Sequence, residues 1–159
     1  MRTGQIPADV QLYWFGFFTA AGYIRGHGPS LTLIVALGEN GRGRLDSLKA
    51  DLMMGRIHCK LCHSSLAGWQ AYFRDPILCH ALIPWGIPSD LYGEDLALLK
   101  DLPEGLLLPF IRGYTDGGKL ARRTPTDRHT EGFTIFGPPA VLGSLNLVIQ
   151  RHWVSQTAS

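Results

Sequence analysis

Long apolar runs are missing from this chain. No stretch reaches the eighteen or so apolar residues that a membrane-spanning helix needs. The opening residues, Met1-Arg2-Thr3-Gly4-Gln5, lack the apolar centre of a secretory signal, so the expected setting is intracellular, cytoplasmic or organellar. Cysteine is scarce. Its three copies cannot all pair, and an intracellular chain keeps thiols reduced, so a disulfide framework is not expected. Charge is thin at 18% of residues, with a net +2 and a pI near 8.5. Dedicated nucleic-acid domains usually lie above pI 9, so this balance permits such a partner without demanding one. No G-x-S-x-G, P-loop or dinucleotide-binding fingerprint occurs, which removes the commonest hydrolase and nucleotide-site readings.

What is present is a globular composition. Hydrophobic residues make up 45% of 159 positions. A chain of this length buries about 70% of its unfolded surface as one compact unit. The charge is uneven: Ser89 to Glu104 carries five acids and one lysine, leaving much of the remainder more basic than the average.

Two segments resemble each other. Trp14-Phe15-Gly16-Phe17-Phe18-Thr19-Ala20-Ala21-Gly22 and Phe110-Ile111-Arg112-Gly113-Tyr114-Thr115-Asp116-Gly117-Gly118 are both apolar, aromatic and pierced by a glycine. Superposing Gly16 on Gly113 sets Phe17 on Tyr114, Thr19 on Asp116 and Ala21 on Gly118, which points to an internal duplication. Glycine costs about 1 kcal/mol in a helix interior, so a glycine kept there signals the close approach of another backbone. The two segments are therefore expected to be helices in contact through Gly16, Ala20, Gly113 and Gly117.

Read in order, Asp9 caps a helix to about Ala21, with Gly22 as its left-handed stop. Strands follow at 23–27 and 30–37, the second placing Leu31, Leu33, Val35 and Leu37 on one face. A helix spans 44–54 and stops at Gly55. Residues 56–63 alternate, with Arg56, His58, Lys60 and Cys62 facing one way and Ile57, Cys59 and Leu61 the other. Residues 66–74 return, with Trp69, Ala71 and Phe73 on one face. Asp75 caps and Pro76 opens a helix to about Trp85. This α-β-β-α-β-β-α order predicts an α+β fold with a four-stranded antiparallel sheet and helices on one face. Residues 1–88 form this first half, 89–101 an acidic linker, and 102–159 a second, shortened half. In that half Asp101 and Pro103 open a helix that Pro109 kinks or restarts. A hairpin follows, with strands at 119–125 and 132–137, then a helix from Pro138 to about Trp153. The missing elements leave a sheet edge open for a partner or a second copy.

Gly113-Tyr114-Thr115-Asp116-Gly117-Gly118 after Phe110-Ile111-Arg112, and Trp14 to Gly22 before Tyr23-Ile24, resemble the two signature helices of LAGLIDADG homing endonucleases. The half-domain order of that family is also similar. The resemblance implies a duplicated αββαββα unit, two antiparallel sheets around two central packed helices, with the second half truncated here. In the family an acidic residue near each helix end holds a divalent metal and cuts one DNA strand. Those positions fall on Ala21 and Gly118, and Asp116 is the only carboxylate in either motif. The resemblance thus implies a nucleic-acid-binding protein without nuclease activity and without a cofactor. DNA is the expected partner and RNA, in a maturase-like or regulatory role, the second. The alternatives are a divergent active endonuclease using Mg2+, and a structural or assembly protein.

The family geometry implies that the sheet carries the contacts: Arg25, His27, Arg56, His58 and Lys60 in the first half, and Lys119, Arg122, Arg123, Arg128 and His129 in the second. Arginine suits guanine or phosphate and lysine mainly phosphate. The run His58-Cys59-Lys60-Leu61-Cys62-His63, with Cys79-His80, offers a competing zinc reading. On a strand, however, Cys59 and Cys62 point to opposite faces, so no metal site is expected.

Overall fold

Phe17, Phe18 and Trp14 are almost wholly buried, and they set the position of the first helix between a sheet and a second helix. The computed structural model describes residues 6–53, 58–85, 87–89 and 102–118, with single positions 142, 143, 146 and 150, which are helical. The elements are α1 (Ala8–Ala21), β1 (Gly22–Arg25), β2 (Thr32–Gly38), α2 (Gly41–Leu52), β3 (Cys59–Ser64), β4 (Gly68–Phe73), α3 (Pro76–Leu82) and α4 (Glu104–Gly117). Short 3-10 turns occupy Gly28–Ser30 and Ile83–Trp85. The fold is α+β, with one four-stranded antiparallel sheet in the order β1-β2-β4-β3 among the described residues.

One sheet face is the floor of the core. Ile24, Leu33, Val35, Leu37, Ala71 and Phe73 are buried there beneath α1, α2 and α3, which contribute Phe18, Leu45, Leu48, Cys79 and Leu82. Cys59 and Leu61 pack partly against the same cluster. The alternation expected of β2, β3 and β4 is therefore realised, because a two-residue side-chain period places one whole set against the helices. Asp75 caps α3 as expected, accepting from the Ile77 and Leu78 amides at 3.0 and 3.1 Å.

The helix pair α1 and α4 meets backbone to backbone. A Cβ on Gly16 would overlap the Phe110 carbonyl and lie 2.8 Å from the Tyr114 nitrogen. A Cβ on Gly113 would overlap the Tyr13 carbonyl and lie 2.9 Å from the Phe17 nitrogen. Exchanging 16 with 113, 13 with 110 and 17 with 114 maps one set of contacts onto the other. The crossing is thus locally two-fold, and the helices run parallel. Gly117 is pressed on the Phe17 carbonyl, where a Cβ would be 2.6 Å away, and Ala20 lies beside Gly118. All four expected interface positions belong to this crossing. Phe110 and Tyr114 close a second cluster with Leu12 on the side of α1 away from the sheet.

Several local expectations are corrected. Gly22 is extended at φ −103° and begins β1, so α1 has no left-handed stop. Pro7, not Asp9, precedes α1, and Asp9 sits in its first turn, where its charge favours the helix dipole. The stop of α2 is Met53 in the left-handed region at φ 50°, so the helix ends earlier than a glycine signal at 55 suggests. Ser30 lies in a 3-10 turn, and β2 begins at Thr32. Pro109 neither ends nor restarts α4, which is assigned as one helix from Glu104 to Gly117. The expected second hairpin, at 119–125 and 132–137, lies outside the described residues.

Both motif helices have fourteen residues, follow a proline and end at an extended glycine. Their boundaries are offset by 96 (104 − 8 and 117 − 21), whereas the crossing glycines are offset by 97 (113 − 16). Helix α4 therefore ends one residue sooner relative to the crossing. Ala21 is the last helical residue of α1, but its counterpart Gly118 has already left α4.

Candidate nucleic-acid interface

The C-terminal ends of α1 and α4 open onto a cleft of ≈ 510 Å³ lined by Ala20, Ala21, Gly38, Arg44, Asp116 and Gly118, among others. Ala21 and Gly118 contribute no polar side chain. Asp116 is held laterally: its Oδ2 accepts from the Tyr13 hydroxyl at 2.8 Å, a bond between residues 103 apart that ties α1 to α4. The Arg44 guanidinium lies 5.3 Å from the Phe17 ring centroid, with Nη1 3.5 Å from the Asp116 carbonyl. A cation at that helix end offsets the partial negative charge of its last carbonyls. Nearby, Asp51 accepts from the Trp14 indole at 2.9 Å.

Burial, then the hydrogen bond to Asp116, pushes the Tyr13 hydroxyl up from 10.0 to about 12. The unfolded tyrosine ionises first, so this group contributes stability that is intact below pH 10 and lost as pH rises towards about 12. Tyr13→Phe should flatten that part of the stability profile. It should also cost about 1 kcal/mol near neutrality, through loss of the interhelical bond. Urea titrations of both proteins between pH 7 and 12 check this, and profiles that coincide above pH 10 would remove the Tyr13–Asp116 link.

The other candidate surface is the outer face of the sheet. None of the four strands contains a carboxylate. The acids of the described residues sit in helices or beyond strand ends: Asp9, Glu39, Asp46, Asp51, Asp75, Glu104 and Asp116. Arg25 and Lys60 are exposed on the outer face, on the two outermost strands. Arg25 pairs with Thr32 at one end of the sheet. At that same end Arg74 follows Phe73 and His58 precedes Cys59, the two residues of one cross-strand pair, and both are exposed. Arg25, Arg74 and His58, from three different sequence segments, are thereby collected at one end of the sheet. His27 instead sits in the turn after β1, where Ser30 bonds its backbone. Arg56, Lys119, Arg122, Arg123, Arg128 and His129 lie outside the described residues.

Arg74 was missed by sequence reasoning. It ends an apolar strand and looks like a turn residue, and only the β3–β4 register brings it level with His58. Cys59 turns to the core and Cys62, paired with Gln70, to the outer face. Among the described residues no three His, Cys, Asp or Glu side chains gather as a metal site, and no helix is long and apolar enough to cross a membrane. No protein-family model matches the chain, and a search of curated proteins gives no match.

Proposed function

We propose that this chain is a nucleic-acid-binding protein built on a LAGLIDADG-type unit whose cutting centre has lost its carboxylates. The observation that carries the reading is the separation of charge. The four strands carry no carboxylate, Arg25 and Lys60 are exposed on their outer face, and exposed Arg74 and His58 flank it at one end, while the acids lie on the helices or beyond strand ends. Phosphate backbones bind such faces through lysine and arginine with release of counterions. The helix ends support the second part of the reading. Metal-assisted strand cleavage needs carboxylates converging on a cation. Here the two corresponding positions are Ala21 and Gly118, and the remaining Asp116 accepts from Tyr13.

The decisive experiment titrates labelled nucleic acids with the protein against salt, and incubates duplex libraries with magnesium or manganese before gel analysis. Salt-dependent binding without strand cleavage is expected. Site-specific cleavage would establish the active endonuclease instead. Absence of any salt-dependent binding would leave a structural or assembly role.

A further inference from the structure

The outer face of the sheet carries more than charge. Tyr23 pairs with Ile34, Ile34 with Tyr72, and Tyr72 with Lys60, so these four residues form one cross-strand row. All four lie on the face away from the helices, because their strand neighbours Ile24, Leu33, Val35, Ala71 and Phe73 are the buried set. Tyr23 is 39% exposed and Lys60 is exposed, while Ile34 and Tyr72 are half-buried. The Tyr72 hydroxyl donates to Gln70 Oε1 at 3.1 Å, which fixes the ring from its polar end. The next row towards the sheet end begins with the Arg25–Thr32 pair, and Arg74 and His58 lie at that same end. An aromatic row thus runs beside a cationic one.

We propose that this row is a stacking platform, and that the protein's preferred ligand is single-stranded nucleic acid. The proposal rests on the nucleic-acid reading above and names the substrate class for the same face. Aromatic rings binding nucleic acid act through the faces of bases, and in a duplex those faces are already covered by neighbouring pairs. Only unpaired bases offer them. Spacing points the same way. Tyr23 and Tyr72 are separated by β2, hence by two inter-strand steps of about 4.8 Å each. Bases stacked along one strand repeat at about 3.4 Å, so the two rings cannot serve adjacent stacked bases. They suit a strand whose bases are splayed, with its phosphates along Arg25, Arg74 and Lys60. Lys60 closes the aromatic row at its β3 end, where it meets the backbone as a point charge.

The test measures binding of fluorescent oligouridine, oligothymidine and a duplex of equal length by anisotropy, for the parent, Tyr23→Leu, Tyr72→Leu, Tyr23→Phe and Arg25→Ala. Leucine keeps the apolar bulk but removes the aromatic face, and circular dichroism verifies that each variant is folded. Each Tyr→Leu variant is expected to lose about 5- to 150-fold in affinity for single strands, with little change for duplex. Tyr23→Phe should retain parental binding. Two single strands binding alike support a shared stacking chemistry, and the oligouridine and oligothymidine arms rank RNA against DNA. If Arg25→Ala weakens binding while both Tyr→Leu variants bind single strands like the parent, the platform is overturned and the charged-face reading survives. A parent that prefers duplex also overturns the platform. A parent that binds none of the three overturns both.

Discussion

Gly113→Leu should destabilise this protein severely, through the closest contact in its helix crossing. The clash is with the Tyr13 carbonyl, part of a helix backbone that cannot rotate away as a side chain can. Relief requires α1 and α4 to separate, which uncovers Phe110, Tyr114 and Leu12. Overpacking alone costs about 1–3 kcal/mol, and the lost burial raises the expected loss above about 4 kcal/mol. For a chain of this size that is a fall in melting temperature of about 8 °C or more. Gly16→Leu should behave alike, since the two glycines exchange roles across the crossing. Gly43→Ala is the control: a Cβ there meets nothing within 4 Å, and the residue lies in α2. It should stabilise by about 0.5–1 kcal/mol through helix propensity. Thermal melts of the three variants decide the matter, and a Gly113→Leu protein melting with the parent would sink the helix crossing.

Removing Arg25, Lys60 and Arg74 together should abolish most nucleic-acid affinity at low salt. Each phosphate contact on a single strand contributes about 0.7 to the slope of log K against log salt. Three lost contacts lower the slope by about 2, which amounts to about 100-fold in affinity at 0.1 M salt if binding in 1 M salt is unchanged. All sequences should weaken alike, because phosphates carry no sequence information. The substitutions lie on an exposed sheet face outside the core, so the fold should be little affected. Titrations of parent and triple variant across a range of salt concentrations provide the comparison. Parallel lines would show that this face is merely solvated.

Much of this architecture was legible in the residues because burial imposes a period. Leu31, Leu33, Val35 and Leu37, and likewise Trp69, Ala71 and Phe73, fall at every second residue, the spacing that lets a strand cover one face. The apolar girth of α1 can satisfy only a helix packed on several sides. Gly16 and Gly113 were readable for a similar reason: their helix-propensity cost is recovered only where backbones touch. Stops were less legible. A left-handed residue is usually glycine, yet Met53 takes that role in α2, while Gly22 is extended because it is already the first residue of β1.

The sequence by itself determined the α+β class, the alternating inner face, the contact between two glycine-centred helices and the absence of acids at Ala21 and Gly118. These depend on periods of a few residues or on the identity of single positions. Only the tertiary structure decided what lies beside what across the chain: Tyr13 on Asp116, Arg44 over Phe17, Arg74 level with His58, and Tyr23, Ile34, Tyr72 and Lys60 in one row. The order β1-β2-β4-β3 makes neighbours of distant strands, and register then fixes which side chains share a row. A shift of one residue would turn every one of them to the other face, a choice made by the packing of the buried set against the helices.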